Sequence, residues 1–147
     1  MMAKVLRDVE ISPPTFETLE EALEYAERFQ QPQVFVDRFV ASLKGRLMFS
    51  APLKFDSLLS ASGSAVISPG REAIKIGEAA LVRDSELFKT LVHEEMHLRL
   101  VQKARSGNQR SLEVVTHPDL LVEEDYVERI AIRYLKMYEN VFGKFKH

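Results

Sequence analysis

The chain has 147 residues, a length that favours one domain with a hydrophobic core over two domains. Hydrophobic residues make up 46% and charged residues 29%, and the net charge of −2 provides no basic surface for nucleic acid. There is no cysteine, so disulfides and thiolate ligands are excluded and any metal must be bound by histidine and carboxylate side chains.

Membrane insertion is not expected from this sequence. No apolar run approaches the ~18 residues that a membrane span requires, and the amino terminus lacks a signal-peptide pattern. We therefore predict no membrane partner and a cytoplasmic location, while export by a route without a cleaved signal stays compatible with the sequence.

The first half of the chain is predicted to contain two helices followed by a small sheet. The helical part consists of an extended lead-in over residues 1–14, a helix that begins at Thr15 or Thr18 and is broken by Pro32, and a second helix over residues 36–43 that fades at Gly45. The sheet consists of strands over 65–68 and 73–76 around a Pro69-Gly70 turn, with a third strand over 47–53 and a loop over 57–63.

Two longer helices are predicted in the second half. The first begins at an Asp84 or Ser85 cap and ends at Ser106-Gly107, and it is apolar on most sides, so we expect it to be buried. After a loop, the second begins near Pro118 and ends at Gly143. The predicted fold class is therefore α+β, with two N-terminal helices and a small twisted sheet of two to four strands packed with these two helices.

The first of these long helices carries an H-E-x-x-H motif from His93 to His97. In a helix, the two imidazoles lie one turn apart on one face and can bind the same Zn²⁺ ion. Glu94 lies beside them, where it can take a proton from a zinc-activated water molecule and return it to a leaving amine. Burying these polar groups without partners would cost several kcal/mol, roughly 2–7 for each neutral group, and a metal ion removes much of that cost. The motif therefore predicts a zinc hydrolase.

A catalytic zinc site needs a third protein ligand and one open position. The metzincin continuation is absent, because Leu100 and Lys103 stand where it has glycine and histidine. The predicted last helix instead offers Glu124 and Glu128, one turn apart; one would bind zinc and the other could hydrogen-bond a ligand histidine. Glu124 is the preferred ligand, and the alternatives are Glu128, Glu123, His117 and Asp119.

The motif followed by a glutamate helix resembles the gluzincin branch of the zincin metallopeptidases, and the short chain is most similar to the minimal soluble gluzincins. The resemblance covers about residues 64–140, so that residues 64–142 form the expected zincin core and residues 1–60 a helical N-terminal part of the same 147-residue domain. It implies that His93, His97 and Glu124 bind zinc and that Glu94 is the general base. Glu128 stands where the family often has aspartate.

The function expected from this resemblance is zinc-dependent hydrolysis of peptide bonds in a peptide or protein substrate. A strand ahead of the motif helix would pair with the extended substrate through main-chain hydrogen bonds. Candidate donors to the oxyanion are Tyr126, Arg129 and Tyr134. The tail over residues 144–147 either frays or folds over the cleft as an inhibitor. The alternative function is a non-catalytic zinc-binding or helical module that binds a protein partner.

Overall fold

The computed structural model describes residues 14–45 and 47–147 of the chain. The predicted extended lead-in, apart from Pro14, lies outside the described residues. Within them, the helices are α1 (Leu19–Gln30), α2 (Pro32–Ser42), α3 (Asp84–Arg105), α4 (Gln109–Val115) and α5 (Leu120–Phe142), with a 3₁₀ turn at Glu78–Leu81. The strands are β1 (Leu53–Phe55), β2 (Gly63–Val66) and β3 (Ala73–Ile76), which gives an α+β fold as predicted.

The N-terminal helices form a pair separated by a single residue. Helix α1 begins after Thr18, whose hydroxyl accepts a hydrogen bond from the main-chain N–H of Glu21, as expected of a threonine N-cap. Pro32 does not open a gap between the helices but is the first residue of α2, where its missing N–H costs no hydrogen bond. The second helix therefore begins four residues earlier than the predicted Val36.

The sheet has the strand order β1-β3-β2, with β1 parallel and β2 antiparallel to β3. The predicted hairpin is present, although its first strand ends at Val66 rather than Ser68. The predicted strand over 47–53 is wrong in position, since β1 starts at Leu53, where that prediction ended. Parallel pairing with β3 selects these three residues, and such a long-range contact leaves little local signal.

The two outer edges of this sheet differ. At β1, the side-chain amide of Gln33 donates to the carbonyl of Leu53 (3.0 Å) and accepts from the N–H of Phe55 (2.8 Å). It thereby occupies the positions that a further strand would use. At β2, the N–H of Gly77 donates to the carbonyl of Ser62 (2.8 Å), so alternate residues of the strand bond to β3 and the main-chain groups of Gly63 point to the outer side.

Helix α3 is the centre of the molecule, in contact with the sheet on one side and with α5 on another. Its predicted ends are confirmed, but neither Asp84 nor Ser85 is the cap: the N-cap is Arg83, which makes no side-chain cap hydrogen bond. Buried residues of α3 form one hydrophobic cluster with buried residues of α2, β3, the 3₁₀ turn and α5. The members are Val36, Phe39, Ile74, Ile76, Ala80, Leu81, Leu87, Phe88, Leu91, Val92, Leu98, Ala131 and Tyr138.

The C-terminal tail packs on this cluster, so the expectation that it frays is wrong. The ring of Phe145 stacks on that of Tyr138 at 5.3 Å and lies 5.5 Å from that of Phe88. The main-chain oxygen of His147 accepts from the N–H of Ser85 at the start of α3 (3.2 Å). Because eight residues of helix, about 12 Å, separate Ser85 from His93, the tail does not cover the motif histidines.

Candidate metal centre

Helices α3 and α5 bring two imidazoles and one carboxylate together. His93 and His97 lie one turn apart on α3, and Glu124 comes from the first two turns of α5. One ligand atom from each of the three residues lies within 4.8 Å of the others, close enough to hold a single metal ion. The side chains of His93 and Glu124 are almost fully buried, while that of His97 is 14% exposed.

The distances match those of atoms that share one metal ion. The Nε2 atoms of His93 and His97 are 3.2 Å apart, and the Oε2 atom of Glu124 lies 3.0 Å from Nε2 of His97. Two nitrogens that bind one zinc ion at about 2.0–2.1 Å in tetrahedral geometry lie roughly 3.3 Å apart. The three side chains therefore already have the spacing that such an ion requires.

Each imidazole is also held at its other nitrogen by a carboxylate from α5. The Nδ1 atom of His93 lies 2.8 Å from Oε1 of Glu128, and that of His97 lies 2.5 Å from Oε2 of Glu123. Lys89, one turn before His93 on α3, forms an ion pair with Glu128 (3.4 Å). Carboxylates in this position orient an imidazole and raise its basicity toward a metal.

The cluster has more hydrogen-bond acceptors than protons, which explains why it should attract a cation. An ionised carboxylate only accepts hydrogen bonds, so Glu128 and Glu123 require a proton on the Nδ1 atoms of His93 and His97. Neutral imidazoles in that tautomer turn their Nε2 lone pairs toward Glu124 and toward each other. The Oε1 atom of Glu124, 2.5 Å from Nε2 of His93, is buried and makes no hydrogen bond of standard geometry. Additional protons or a metal ion must therefore neutralise the site.

The pKa values of the metal-free protein reflect this excess of negative charge. Burial lowers the pKa of His97, but its hydrogen bonds to Glu123 and Glu124 outweigh burial and raise the pKa to about 10. Burial raises the pKa of Glu124, but its contacts with His93 and His97 outweigh burial and lower the pKa to about 2. Without a metal, the site therefore holds an imidazolium next to a carboxylate.

Glu94 lies beside the cluster, on the side of α3 that faces β2. The residue is only 4% exposed, and its carboxylate lies next to Gly63, the first residue of that edge strand. One of its oxygens, Oε2, is 3.0 Å from the position that a Cβ atom on Gly63 would occupy. The predicted general base thus lies against the first residue of the outer strand, on the same helix as the two imidazoles.

The second glutamate of the motif has a structural role. Glu95 is 1% exposed and accepts hydrogen bonds from the N–H and hydroxyl of Ser50 (2.9 and 2.8 Å) and from Arg99 (2.7 Å). These bonds attach the segment before β1 to α3. Glu95 does not belong to the metal cluster.

The other predicted site residues lie outside the cluster. His117 is exposed and its Nδ1 atom accepts from the N–H of Asp119 (3.0 Å), while the carboxylate of Asp119 caps α5. Arg129 forms an exposed ion pair with Asp125 (2.9 Å), and the ring of Tyr134 packs 6.1 Å from that of Phe88. The role of either residue as an oxyanion donor stays a prediction.

Tyr126 is half-buried on α5, and its expected role as an oxyanion donor likewise stays a prediction. Sequence reasoning did not single out Lys89 or Gly63. Lys89 had a signal, because it precedes the first ligand by four residues and so shares its helix face. Gly63 had none, because its contact with Glu94 depends on how β2 lies against α3.

In comparisons with known proteins, no family model matches this chain, and no curated protein or solved structure matches it significantly. The described residues contain no helix that is both long and apolar enough to cross a membrane.

Proposed function

We propose that this chain is a zinc-dependent metallopeptidase of the gluzincin type. The observation that carries the proposal is the convergence of His93, His97 and Glu124 within 4.8 Å, next to the buried carboxylate of Glu94. Two imidazoles and one carboxylate form the three-ligand set of catalytic zinc sites, which leaves a fourth position for water or substrate. A buried carboxylate that is not needed as a ligand supports a role in proton transfer.

The chemistry divides between the metal and Glu94. A bound Zn²⁺ ion lowers the pKa of water and polarises a carbonyl group. Glu94 accepts the proton of the attacking water and then donates it to the nitrogen of the leaving amine, so that the peptide bond is broken and the base is regenerated. Glu123 and Glu128 keep the two ligand imidazoles in the tautomer that presents Nε2 to the metal.

The outer edge of β2 supports an extended peptide as the substrate, because no further strand of the described residues pairs with it. Within β2, Gly63 is buried and residues 64–66 are half-buried. The main-chain groups of Gly63 point away from β3, and the carboxylate of Glu94 lies next to this residue. A peptide that added to this edge would pass beside Glu94 and the metal ligands. At the opposite edge, Gln33 already occupies the main-chain groups of β1, so strand addition is favoured at β2 alone.

Metal analysis is the first test of this proposal. We expect about one zinc ion per chain in protein purified without chelator, and its loss in His97→Ala. The matched control is His117→Ala, which removes an exposed imidazole outside the cluster and should keep full zinc content. Little metal in the wild-type protein, with no uptake when zinc is added, would contradict the proposal.

Hydrolysis is tested without assuming a substrate. A peptide library derived from a whole proteome is incubated with the zinc-loaded protein and with Glu94→Gln, and the new termini are identified by mass spectrometry. Cleavage by the wild-type protein alone is expected. Equal cleavage by the variant would show that Glu94 is not the base.

The burial of the site favours one other candidate, a non-catalytic zinc-binding module. His93 is 0% exposed and Glu94 4%, and a structural zinc site is closed to solvent and to added ligands. Cobalt substitution distinguishes the two functions. The visible spectrum of Co²⁺ changes when an added ligand binds at the fourth coordination position of the metal. A spectrum that acetohydroxamic acid leaves unchanged would favour the module.

A further inference from the structure

We infer that Gly63 is a positioning residue that fixes the carboxylate of Glu94, an inference that rests on the proposed function. A Cβ atom at this position would lie 2.6 Å from Cγ2 of Thr90 and 3.0 Å from both Cγ and Oε2 of Glu94. Protein Cβ atoms essentially never approach other heavy atoms more closely than 3.0 Å. Strand β2 can therefore lie at this distance from α3 only because residue 63 has no side chain.

Lack of space for a side chain, and not an unusual backbone conformation, explains why residue 63 is a glycine. The glycines with positive φ, which other residues adopt with strain, are Gly45, Gly70, Gly107 and Gly143. Gly63 is not among them; it lies in a regular strand, paired opposite Ile76. Any residue could adopt its backbone conformation, so the missing Cβ has to be explained by what takes its place.

Thr90 and Glu94 fill that place together: the methyl group of Thr90 is the nearest neighbour at 2.6 Å, and the side chain of Glu94 follows with two atoms at 3.0 Å. With α3 behind it and the backbone of Gly63 in front, this side chain is confined on two sides, which limits the rotamers that it can adopt. The main-chain groups of the same glycine point away from β3, on the outer side of the sheet, although the residue itself is buried. Gly63, the residue that would pair with a peptide, thus also limits the position of the Glu94 carboxylate. The proposed base would therefore lie next to the main chain of a bound peptide.

A methyl group at residue 63 would displace Glu94. The carboxylate is the flexible end of its side chain, so it yields more easily than the helix backbone. At 3.0 Å the contact requires the side chain of Glu94 to shift by a few tenths of an ångström. A misplacement of 1 Å at a reacting group can cost about 100-fold in rate, so this smaller shift should cost a few-fold. Gly63→Ala should therefore weaken proton transfer while leaving the proposed metal ligands in place, since both imidazoles are held by carboxylates of α5.

The test distinguishes the effect of the contact with Glu94 from the effect of the contact with the methyl group of Thr90. Thr90→Ser removes the methyl group 2.6 Å from the new Cβ but keeps the hydroxyl, so Gly63→Ala/Thr90→Ser retains only the close contacts with Glu94 among those three. Thr90→Ser alone is the matched control. The probe is acetohydroxamic acid, which binds a metal through two oxygens and gives its hydroxyl proton to a nearby base.

Three quantities are measured for each protein: zinc content, the urea midpoint of unfolding, and the affinity of the cobalt form for acetohydroxamic acid. Relative to Thr90→Ser, the double variant should keep its metal and its midpoint and lose about 3-fold or more in affinity, in the same direction as Glu94→Gln. Adding Glu94→Asp, which shortens the carboxylate, should abolish the effect of Gly63→Ala if the two residues interact directly.

The outcomes distinguish this inference from the proposed function. If Glu94→Gln lowers the affinity but Gly63→Ala/Thr90→Ser does not, Glu94 is the base and Gly63 does not position it. An equal effect of Gly63→Ala in the Glu94→Asp background, or an unfolded double variant, would show that the glycine serves packing and would likewise overturn the inference. If Glu94→Gln itself has no effect, the proposed function fails.

Discussion

At the scale of single residues, the site is defined by three neighbouring carboxylates of α5 that serve two imidazoles. Glu124 contacts the Nε2 atoms of both His93 and His97, whereas Glu123 and Glu128 each contact one Nδ1 atom. Only Glu124 shares the face of the imidazoles that a metal would use. Its neighbours would act on a bound metal through the histidines that they orient.

Removing this carboxylate should therefore abolish metal binding. Glu124→Ala leaves two imidazoles as the only protein ligands, so the zinc affinity should fall by more than the 10- to 100-fold that follows loss of an outer carboxylate. Competition with a chromophoric chelator measures the affinity. Glu123→Ala is the control with a contact to His97 alone, and an equal loss in both variants would contradict the assignment of Glu124.

Replacement of the base should separate binding from reaction. Glu94→Gln keeps the size of the side chain and removes none of the three proposed ligands, so zinc content should be unchanged. Loss of general-base catalysis typically lowers the rate about 10²- to 10⁴-fold. Hydrolysis of any substrate found in the peptide library gives the measurement, and a variant that lost zinc along with activity would show that Glu94 supports the metal site instead.

At the scale of elements, helix α3 connects two groups of contacts through consecutive glutamates of its motif. Glu94 faces β2, while Glu95 binds Ser50 and Arg99 on another side of the helix. Two adjacent residues of the helix thus have different tasks: one carries the proposed base, and the other attaches the segment before β1. The sequence alone does not tell which glutamate has which role.

This structural role predicts a loss of stability without a loss of metal. In Glu95→Ala, Ser50 and Arg99 lose a buried acceptor, which should lower the free energy of unfolding by about 1 to 3 kcal/mol. Urea unfolding and zinc content are the measurements. The control Asp125→Ala breaks an exposed pair with Arg129 and should cost less than about 0.5 kcal/mol. Similar losses in the two variants would contradict this role for Glu95.

The elements that the sequence predicted well are those with a long, uniform pattern and a clear end. Helix α3 is apolar over most of its length and is followed by Gly107. Helix α5 ends at Gly143, which has a positive φ that is incompatible with a further helical turn. The seven residues of α4 were predicted as a loop, because they lack apolar periodicity. A signal was present in Asn108, whose side chain accepts from the N–H of Ser111.

The candidate site divides in the same way. The positions of His93, Glu94 and His97 relative to one another follow from helical spacing alone. Which carboxylate of α5 meets them depends on the rotation of α5 against α3, and this is set by packing along the whole length of both helices. The sequence could therefore place Glu124 among a few neighbours but could not exclude the others.

At the scale of the whole molecule, the N-terminal helices and the tail are parts of the structure that supports α3. Arg28 of α1 is buried and forms an ion pair with Asp84 at the start of α3 (3.0 Å). Val36 and Phe39 of α2 belong to the same core cluster as Phe88 of α3. Because α3 is held along its length, changes of charge at the metal cluster should affect the stability of the whole fold.

The pH dependence of stability follows from the two shifted pKa values. The pKa of His97 is raised from 6.5 to about 10, so its contribution in the metal-free protein is complete below pH 6.5 and is lost as the pH rises toward 10. The pKa of Glu124 is lowered from 4.5 to about 2, so its contribution is complete above pH 4.5 and is lost as the pH falls toward 2. The metal-free protein should be most stable between these limits.

Zinc should reverse the alkaline part of this profile. Because the ion takes the place of the proton on His97, its advantage over the metal-free state should grow with pH, by up to about 1.4 kcal/mol per unit for one displaced proton. The measurement is urea unfolding of chelator-treated and zinc-loaded protein at pH 5.5, 7.0 and 8.5, with His97→Ala as the control that should show no such growth. A constant difference across this range would mean that zinc binds without displacing a proton, and the imidazolium–carboxylate description of the metal-free site would then be wrong.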